Sequence, residues 1–288
     1  MNQQTSMTYS KNFNINLLVD TLNKGTNSVN QMRNVMFLPY KRIDKTKIYK
    51  EFIENDNKVI LIENKYFTLK ILDRLLSQIH RDILDIIFSQ GILKPIEKQA
   101  YVEFSMYDLL KRMGRPYNGR KGKQNYEWIK DKIKDLKRVS IELKINFGEN
   151  LGHEAIFGMV DRADYSEKRK KFIILFSRTY LQMFQKDVLV NYNYYLPQII
   201  NIKDDTIKAF VRYIICNDYI NNSLENILKE LEIKKEYMSI RNFNSIKKKI
   251  KEYPRLKEIF NIKIDKNEQV RYNKLENIHF FNIKKEIT

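Results

Sequence analysis

The chain has 288 residues, 43% of them hydrophobic, and a formal net charge of +18, enough apolar material for two modest domains and too much for a disordered protein. A single cysteine, Cys216, excludes an intramolecular disulfide, and His80, His153 and His279 are too scattered for metal-ligand spacing, so no metal and no other cofactor is expected. No apolar run approaches the roughly 18 residues that cross a bilayer, and the opening Met1-Asn-Gln-Gln-Thr-Ser lacks a secretion signal, so a soluble cytoplasmic protein with no membrane segment is expected.

In chain order, residues 1–32 are rich in Asn, Ser, Thr and Gln and predict a mobile tail; 33–192 and 193–288 read as two domains. Residues 58–62 and 66–69 read as strands. Asp73 caps an amphipathic helix over 74–90, where Leu76, Ile79, Ile83, Ile86 and Ile87 recur at helical spacing and Gly91 is the stop. Ser105 with Asp108 forms a Ser-x-x-acid cap for a short helix over 106–113, closed by Gly114. A basic loop, 115–122, leads into a third helix over 123–138. The alternating strand 139–145, a turn at 148–152 and a return over 155–160 complete helix, helix, helix, hairpin.

A second copy begins near Lys203. Asp204 or Asp205 caps a helix over 206–220, Ser223 opens a short helix to 231, and a long basic helix over 239–253 is halted by Pro254. Residues 259–264 and 268–272 predict a second hairpin, and 278–283 a last strand. Between the copies, 171–176, 180–184 and 192–196 are aromatic enough to pack the domains together or to form an interface. The expected fold class is α+β, two tandem winged-helix domains, each a helix-turn-helix with a β-hairpin wing.

Charge follows the repeat. Residues 111–138 carry eleven Lys/Arg against three Asp/Glu, and 229–257 carry ten against four. A Lys-rich genome bias would raise the total without sorting it by helix face. On the first long helix Tyr126, Ile129, Ile133 and Leu136 share a core face, while Lys123, Lys130, Lys134, Lys137 and Arg138 fill the adjoining arc, interrupted by Glu127. Asp131 and Asp135 lie on the other flank beside Trp128. Lys130 with Lys134 and Asp131 with Asp135 are like-charged at i,i+4, an arrangement that costs a helix roughly a few tenths of a kcal/mol per pair and that groove contact explains.

On the second long helix Ile240, Phe243, Ile246 and Ile250 predict the buried stripe, with Arg241, Asn244, Lys248 and Lys251 outward and Lys247 at the edge. Arg reads guanine and Asn reads adenine bidentately, so Arg241 and Asn244 are the base-reading candidates, and the lysines the phosphate holders. Arg115, Arg120 and Lys121 of the basic loop are further phosphate contacts. The loop lacks the Gly-Lys-Ser/Thr ending of a nucleotide-binding loop.

Four segments carry a family resemblance: 80–88 (His-Arg-Asp-Ile-Leu-Asp-Ile-Ile-Phe), 104–114 (Phe-Ser-Met-Tyr-Asp-Leu-Leu-Lys-Arg-Met-Gly), 128–136 (Trp-Ile-Lys-Asp-Lys-Ile-Lys-Asp-Leu) and 207–215 (Ile-Lys-Ala-Phe-Val-Arg-Tyr-Ile-Ile). In architecture and helix texture the chain resembles plasmid replication initiators with tandem winged-helix domains, the RepE-like and TrfA-like group. That resemblance implies binding of double-stranded DNA at repeated origin sites, with one helix of each domain in a major groove. It also implies recruitment of a host replication helicase or initiator, homodimers formed through the first domain, and self-repression.

Three rivals are weighed. A rolling-circle nicking enzyme needs a His-hydrophobe-His metal pair that is absent, so no catalytic residue is assigned. A winged-helix transcriptional regulator without a replication role, and a basic protein that coats DNA without sequence preference, share the same helices.

Overall fold

Apolar residues recurring every third or fourth position give the long helices over Gly119–Arg138 and Ile240–Lys251 one buried face, while those over Gln78–Ser89 and Asp205–Ile215 are buried nearly all round, and alternation gives several strands one buried side. The structure is a computed structural model describing residues 14–23, 26–28, 36–63, 65–90, 92–146, 151–185, 189–191 and 193–274. Helix α1 (Ile15–Asn23) buries Ile15, Leu18, Val19 and Leu22, so part of the expected tail is a packed helix. Its last side chain, Asn23, donates to the Leu93 carbonyl at 2.9 Å and accepts from the Leu93 amide at 3.0 Å.

The first half continues with β1 (Thr26–Ser28), β2 (Phe37–Leu38), α2 (Lys47–Glu54), β3 (Lys58–Glu63), β4 (Phe67–Leu72), β5 (Leu76–Ser77), α3 (Gln78–Ser89), β6 (Leu93–Ile96) and β7 (Gln99–Ser105). Then come α4 (Met106–Arg112), α5 (Gly119–Arg138), β8 (Ser140–Ile145), β9 (Glu154–Gly158), β10 (Val160–Ser166), β11 (Lys171–Phe176), α6 (Arg178–Gln185) and β12 (Leu189–Asn191). Two four-stranded sheets result, in the orders β3-β4-β8-β9 and β10-β11-β7-β6.

The expected wing over 139–160 does form a hairpin, β8–β9, but it joins the sheet of β3 and β4 through six β4–β8 pairs from Phe67↔Ile145 to Leu72↔Ser140. The hairpin that pairs with β7, the strand leading into α4, is β10–β11. Long-range strand pairing decided this, and local alternation does not report it. The start of α3 also differs from expectation. Asp73 is a turn residue at φ +65°, Leu76 pairs with Phe37, and the cap is Ser77, whose amide bonds His80 Nδ1 in a reciprocal capping box.

The second half holds α7 (Leu196–Ile200), α8 (Asp205–Ile215), β13 (Tyr219–Ser223), α9 (Leu224–Glu230), α10 (Ile240–Lys251), α11 (Arg255–Phe260), β14 (Lys263–Ile264) and β15 (Gln269–Asn273). Asp204 caps α8 by accepting from the amides of Thr206 and Ile207. That helix stops at Ile215 rather than 220 because residues 219–223 pair with β15 in a sheet ordered β13-β15-β14. Ile259 and Phe260 belong to α11 instead of a strand, so Pro254 ends one helix and opens another. The strand expected over 278–283 lies outside the described residues.

One continuous core runs through both halves, and α3 packs on α8 through buried charge. Arg212 donates to Gln78 at 2.6 Å, Asp82 at 2.7 Å and Asp85 at 2.8 Å; Lys208 pairs with Asp82, and Arg81 with Asp85 at 2.8 Å. Every one of these residues is at least nine-tenths buried. Such a cluster is tolerated because each charge meets an opposite one within hydrogen-bond reach.

Candidate nucleic-acid interface

Both halves build one arrangement from the same local chemistry. A strand ends in a serine, Ser105 or Ser223, whose hydroxyl accepts from the amide three residues on, Asp108 at 3.3 Å or Asn226 at 3.2 Å, and so starts a short helix. A longer basic helix follows. Then a hairpin returns beside the first strand, pairing Lys171 with Ser105 and Gln269 with Ser223. The last residue of each hairpin turn has positive φ, Lys170 at +53° and Glu268 at +61°. Its carbonyl accepts from the first amide of the short helix, Met106 at 3.3 Å and Leu224 at 2.8 Å. The hairpin is thus fixed against the helix pair by one backbone bond in each half.

Helix α5 is seated by its inner face. Ile129, Ile133 and Leu136 are buried, with Tyr126 half-buried, as the spacing predicts. Asp135, expected on an outer flank, is buried: His80 Nε2 lies 3.2 Å from it, Arg74 donates at 2.6 Å and Lys132 at 3.1 Å. The backbone amide of Ser77 can only donate to His80 Nδ1, so Nε2 carries the ring proton and donates to Asp135. Burial pushes the His80 ring down, favouring this neutral form; burial also acts to raise Asp135, but the hydrogen bonds from His80 and Lys132 and the charge of Lys132 hold its carboxyl well below the usual range. These contacts lock α5 to α3.

The candidates on and before α5 sort into two groups. Arg120, Lys121, Lys123, Lys137 and Arg138 are exposed, with no hydrogen bond or ion pair to any described residue. Arg120, Lys121 and Lys123 belong to the first turns of the helix rather than to a loop, since α5 begins at Gly119. There Gly122 lies so close to the Tyr117 backbone that a Cβ would come within 2.4 Å of its carbonyl carbon. Arg115 is half-buried, its guanidinium stacked 3.7 Å over the Trp128 ring. Lys134 pairs with Asp131 at 3.1 Å, one of three acid–lysine contacts at i,i+3 with Lys130–Glu127 and Lys132–Asp135, so the signs are less segregated than the i,i+4 spacing implied. Lys130 lies against the hairpin, 4.4 Å from the Tyr165 ring and 3.6 Å from Glu167.

On α10 Phe243 and Ile250 are buried and Ile246 half-buried, but Ile240 is 71% exposed, so the buried stripe begins one turn later than expected. Arg241, Asn244 and Lys248 share the outward face. The first two make no hydrogen bond or ion pair with any described residue, and Lys248 has only a 3.8 Å contact to Glu252. Lys247 and Lys251 both pair with Glu268 of the hairpin turn, Lys251 at 3.3 Å.

Sequence reasoning missed Lys168, Arg169 and Lys266, exposed cations in the two hairpin turns, although the run 168–171 (Lys-Arg-Lys-Lys) signals the first. Residues 40–47 were missed as well. Tyr40 donates to the Glu232 carbonyl at 3.0 Å, Thr206 donates to the Pro39 carbonyl at 2.9 Å, and Lys47 sits over Tyr237, strapping the first half to the second beside a cleft of about 640 Å³. Among the described residues no cluster of His, Cys, Asp and Glu could hold a metal ion, and no helix is long and apolar enough to cross a membrane.

No family model and no curated protein sequence matches the chain. Its fold is similar to the crystal structure of domains 2 and 3 of RctB, with a TM-score of 0.54 at 11% sequence identity over 86% of this chain and 99% of that one. A second structure of the same RctB domains aligns with a TM-score of 0.46 at 9% identity, over 77% of this chain and 80% of the other.

Proposed function

We propose that this protein binds double-stranded DNA through two tandem winged-helix domains, recognising repeated origin sites to initiate plasmid replication of the theta type and repressing its own promoter. The observation that carries the reading is the double occurrence of one arrangement: capped short helix, long basic helix, and a hairpin fixed to the short helix by a backbone bond. Two such units joined through a buried ionic contact carry two basic helices in one chain, which suits a polyanion with a helical repeat.

In this reading Arg241 and Asn244 read base edges in a major groove. Lys248 on α10, Lys134, Lys137, Arg138 and Lys123 on α5, and the wing-tip residues Lys168, Arg169 and Lys266 hold phosphates. Arg115, stacked on Trp128, shapes the approach to α5. A host helicase or initiator is the expected protein partner, homodimers form through the first domain, and no residue is given a catalytic role.

Footprinting across the DNA flanking the gene tests the proposal. Repeated protected sites support initiation; a single protected promoter operator points to a transcriptional regulator; an absence of protection overturns both. In a salt titration against a defined site and random duplex, Arg241→Ala is expected to lose about 1–3 kcal/mol of discrimination. Lys134→Ala is expected to weaken both duplexes alike.

A further inference from the structure

Two hairpin-turn carboxylates lie against lysines of the long basic helices. In the first half Glu167, in the turn between β10 and β11, pairs with Lys170 of its own turn and lies 3.6 Å from Lys130 of α5; in the second, Glu268, in the turn between β14 and β15, pairs with Lys247 and Lys251 of α10. The two turns are equivalent by independent marks: each has a positive-φ residue whose carbonyl accepts from the short helix, and each sits beside the same strand pair. Lys130 and Lys247 have side chains only 18% and 16% exposed, drawn down against the hairpin, while their neighbours Lys134 and Lys248 point outward at 59% and 73%.

We propose that Glu167 and Glu268 are affinity-setting residues: each acts as an internal substitute for a DNA phosphate, holding recognition-helix lysines that the duplex must win from it. The inference rests on the DNA-binding reading above and names residues that limit it. A lysine that exchanges a carboxylate for a phosphate gains only the difference between two ion pairs, so the latch reduces what these lysines contribute on any duplex. The effect does not depend on base sequence. It lowers affinity for specific and random DNA together, and keeps a chain of +18 net charge from adhering to DNA through every lysine it carries.

The test is duplex binding by the full chain at fixed salt, comparing wild type, Glu268→Gln, Glu167→Gln and Glu258→Gln. Glu258 is an exposed residue of α11 with no ion pair to a described residue, so its substitution removes one charge from the same domain without touching the latch. Gln and Glu fit the Glu268 backbone equally, and thermal melts of each variant report whether the wing is intact. Glu268→Gln is expected to bind both specific and random duplex about three- to tenfold tighter than Glu258→Gln, the size of one or two partly exposed ion pairs. Glu167→Gln is expected to tighten binding by a smaller factor, since Lys130 keeps its nearer partner, Glu127, and Glu167 pairs more closely with Lys170 than with Lys130. Binding by wild type that Glu268→Gln fails to tighten beyond the Glu258→Gln control, or weakens, overturns the latch alone. If neither wild type nor variants bind any duplex, the DNA-binding reading falls and the latch with it.

Discussion

Helices α8 and α10 both carry cations about one turn apart on an apolar scaffold, Lys208 and Arg212 on one, Lys248 and Lys251 on the other, yet they serve opposite ends. On α8 the cations are buried against Asp82, Asp85 and Gln78 and join the halves of the molecule. On α10 Lys248 points outward, and Lys251 rests on a turn carboxylate at the surface. Residue type does not separate the two roles. What separates them is a pair of carboxylates at i,i+3 on α3, Asp82 and Asp85, that meets α8 and has no counterpart among the described residues facing the outward side of α10.

The largest expected effect comes from breaking the joint. Asp82→Ala leaves Lys208 buried without its carboxylate and Arg212 with one fewer acceptor, and should cost about 3–5 kcal/mol in denaturant unfolding. A loss below about 1 kcal/mol would mean that the joint is open to water.

Next in size is a pH effect at the second buried contact, between α3 and α5. The folded protein holds His80 with a lowered pKa, so the unfolded chain takes up the proton first. Stability from the neutral ring is complete above about pH 6.5 and declines as pH falls toward the folded value, by up to about 1.4 kcal/mol per pH unit for one proton. Asp205, raised by burial, contributes in the opposite sense, its stabilisation being present in acid and lost as pH rises through its folded value. Comparing melts of wild type and His80→Gln between pH 7 and 5 cancels that term. The gap between the two proteins should narrow on acidification.

Smaller still are the caps. Ser105→Ala and Ser223→Ala should each cost about 1 kcal/mol, with similar values if the two halves are built alike. At the bottom of the scale, Lys134→Ala and Arg241→Ala should change stability by less than about 0.5 kcal/mol, so any loss of DNA binding they cause reports on contact rather than folding.

Much of this was legible in the sequence. The serine caps, the short helices, the core face of α5, that of α10 from Phe243 onward and the pairing of 263–264 with 270–271 follow from local spacing. The joint was not read, although its signal is present: Asp82 with Asp85, and Lys208 with Arg212, interrupt otherwise apolar helices at positions that share a face. The hairpin that pairs with β7 was misplaced for a different reason. Its leading strand, residues 160–166 (Val-Asp-Arg-Ala-Asp-Tyr-Ser), is an edge strand with polar residues on both sides and no alternation to betray it, whereas β8 alternates because it is central in another sheet. At the site, exposure of Arg241 and Asn244 follows from the helix wheel. Capture of Lys130, Lys247 and Lys251 depends on hairpin turns whose position only the folded chain defines.

The side chain of Asn23 has one further consequence. Its amide occupies both main-chain groups of Leu93 at the outer margin of the β10-β11-β7-β6 sheet, imitating one residue of an additional strand. A neighbouring polypeptide seeking to lengthen the sheet at Leu93 meets a position already filled, so α1 blunts that end of the β6 edge.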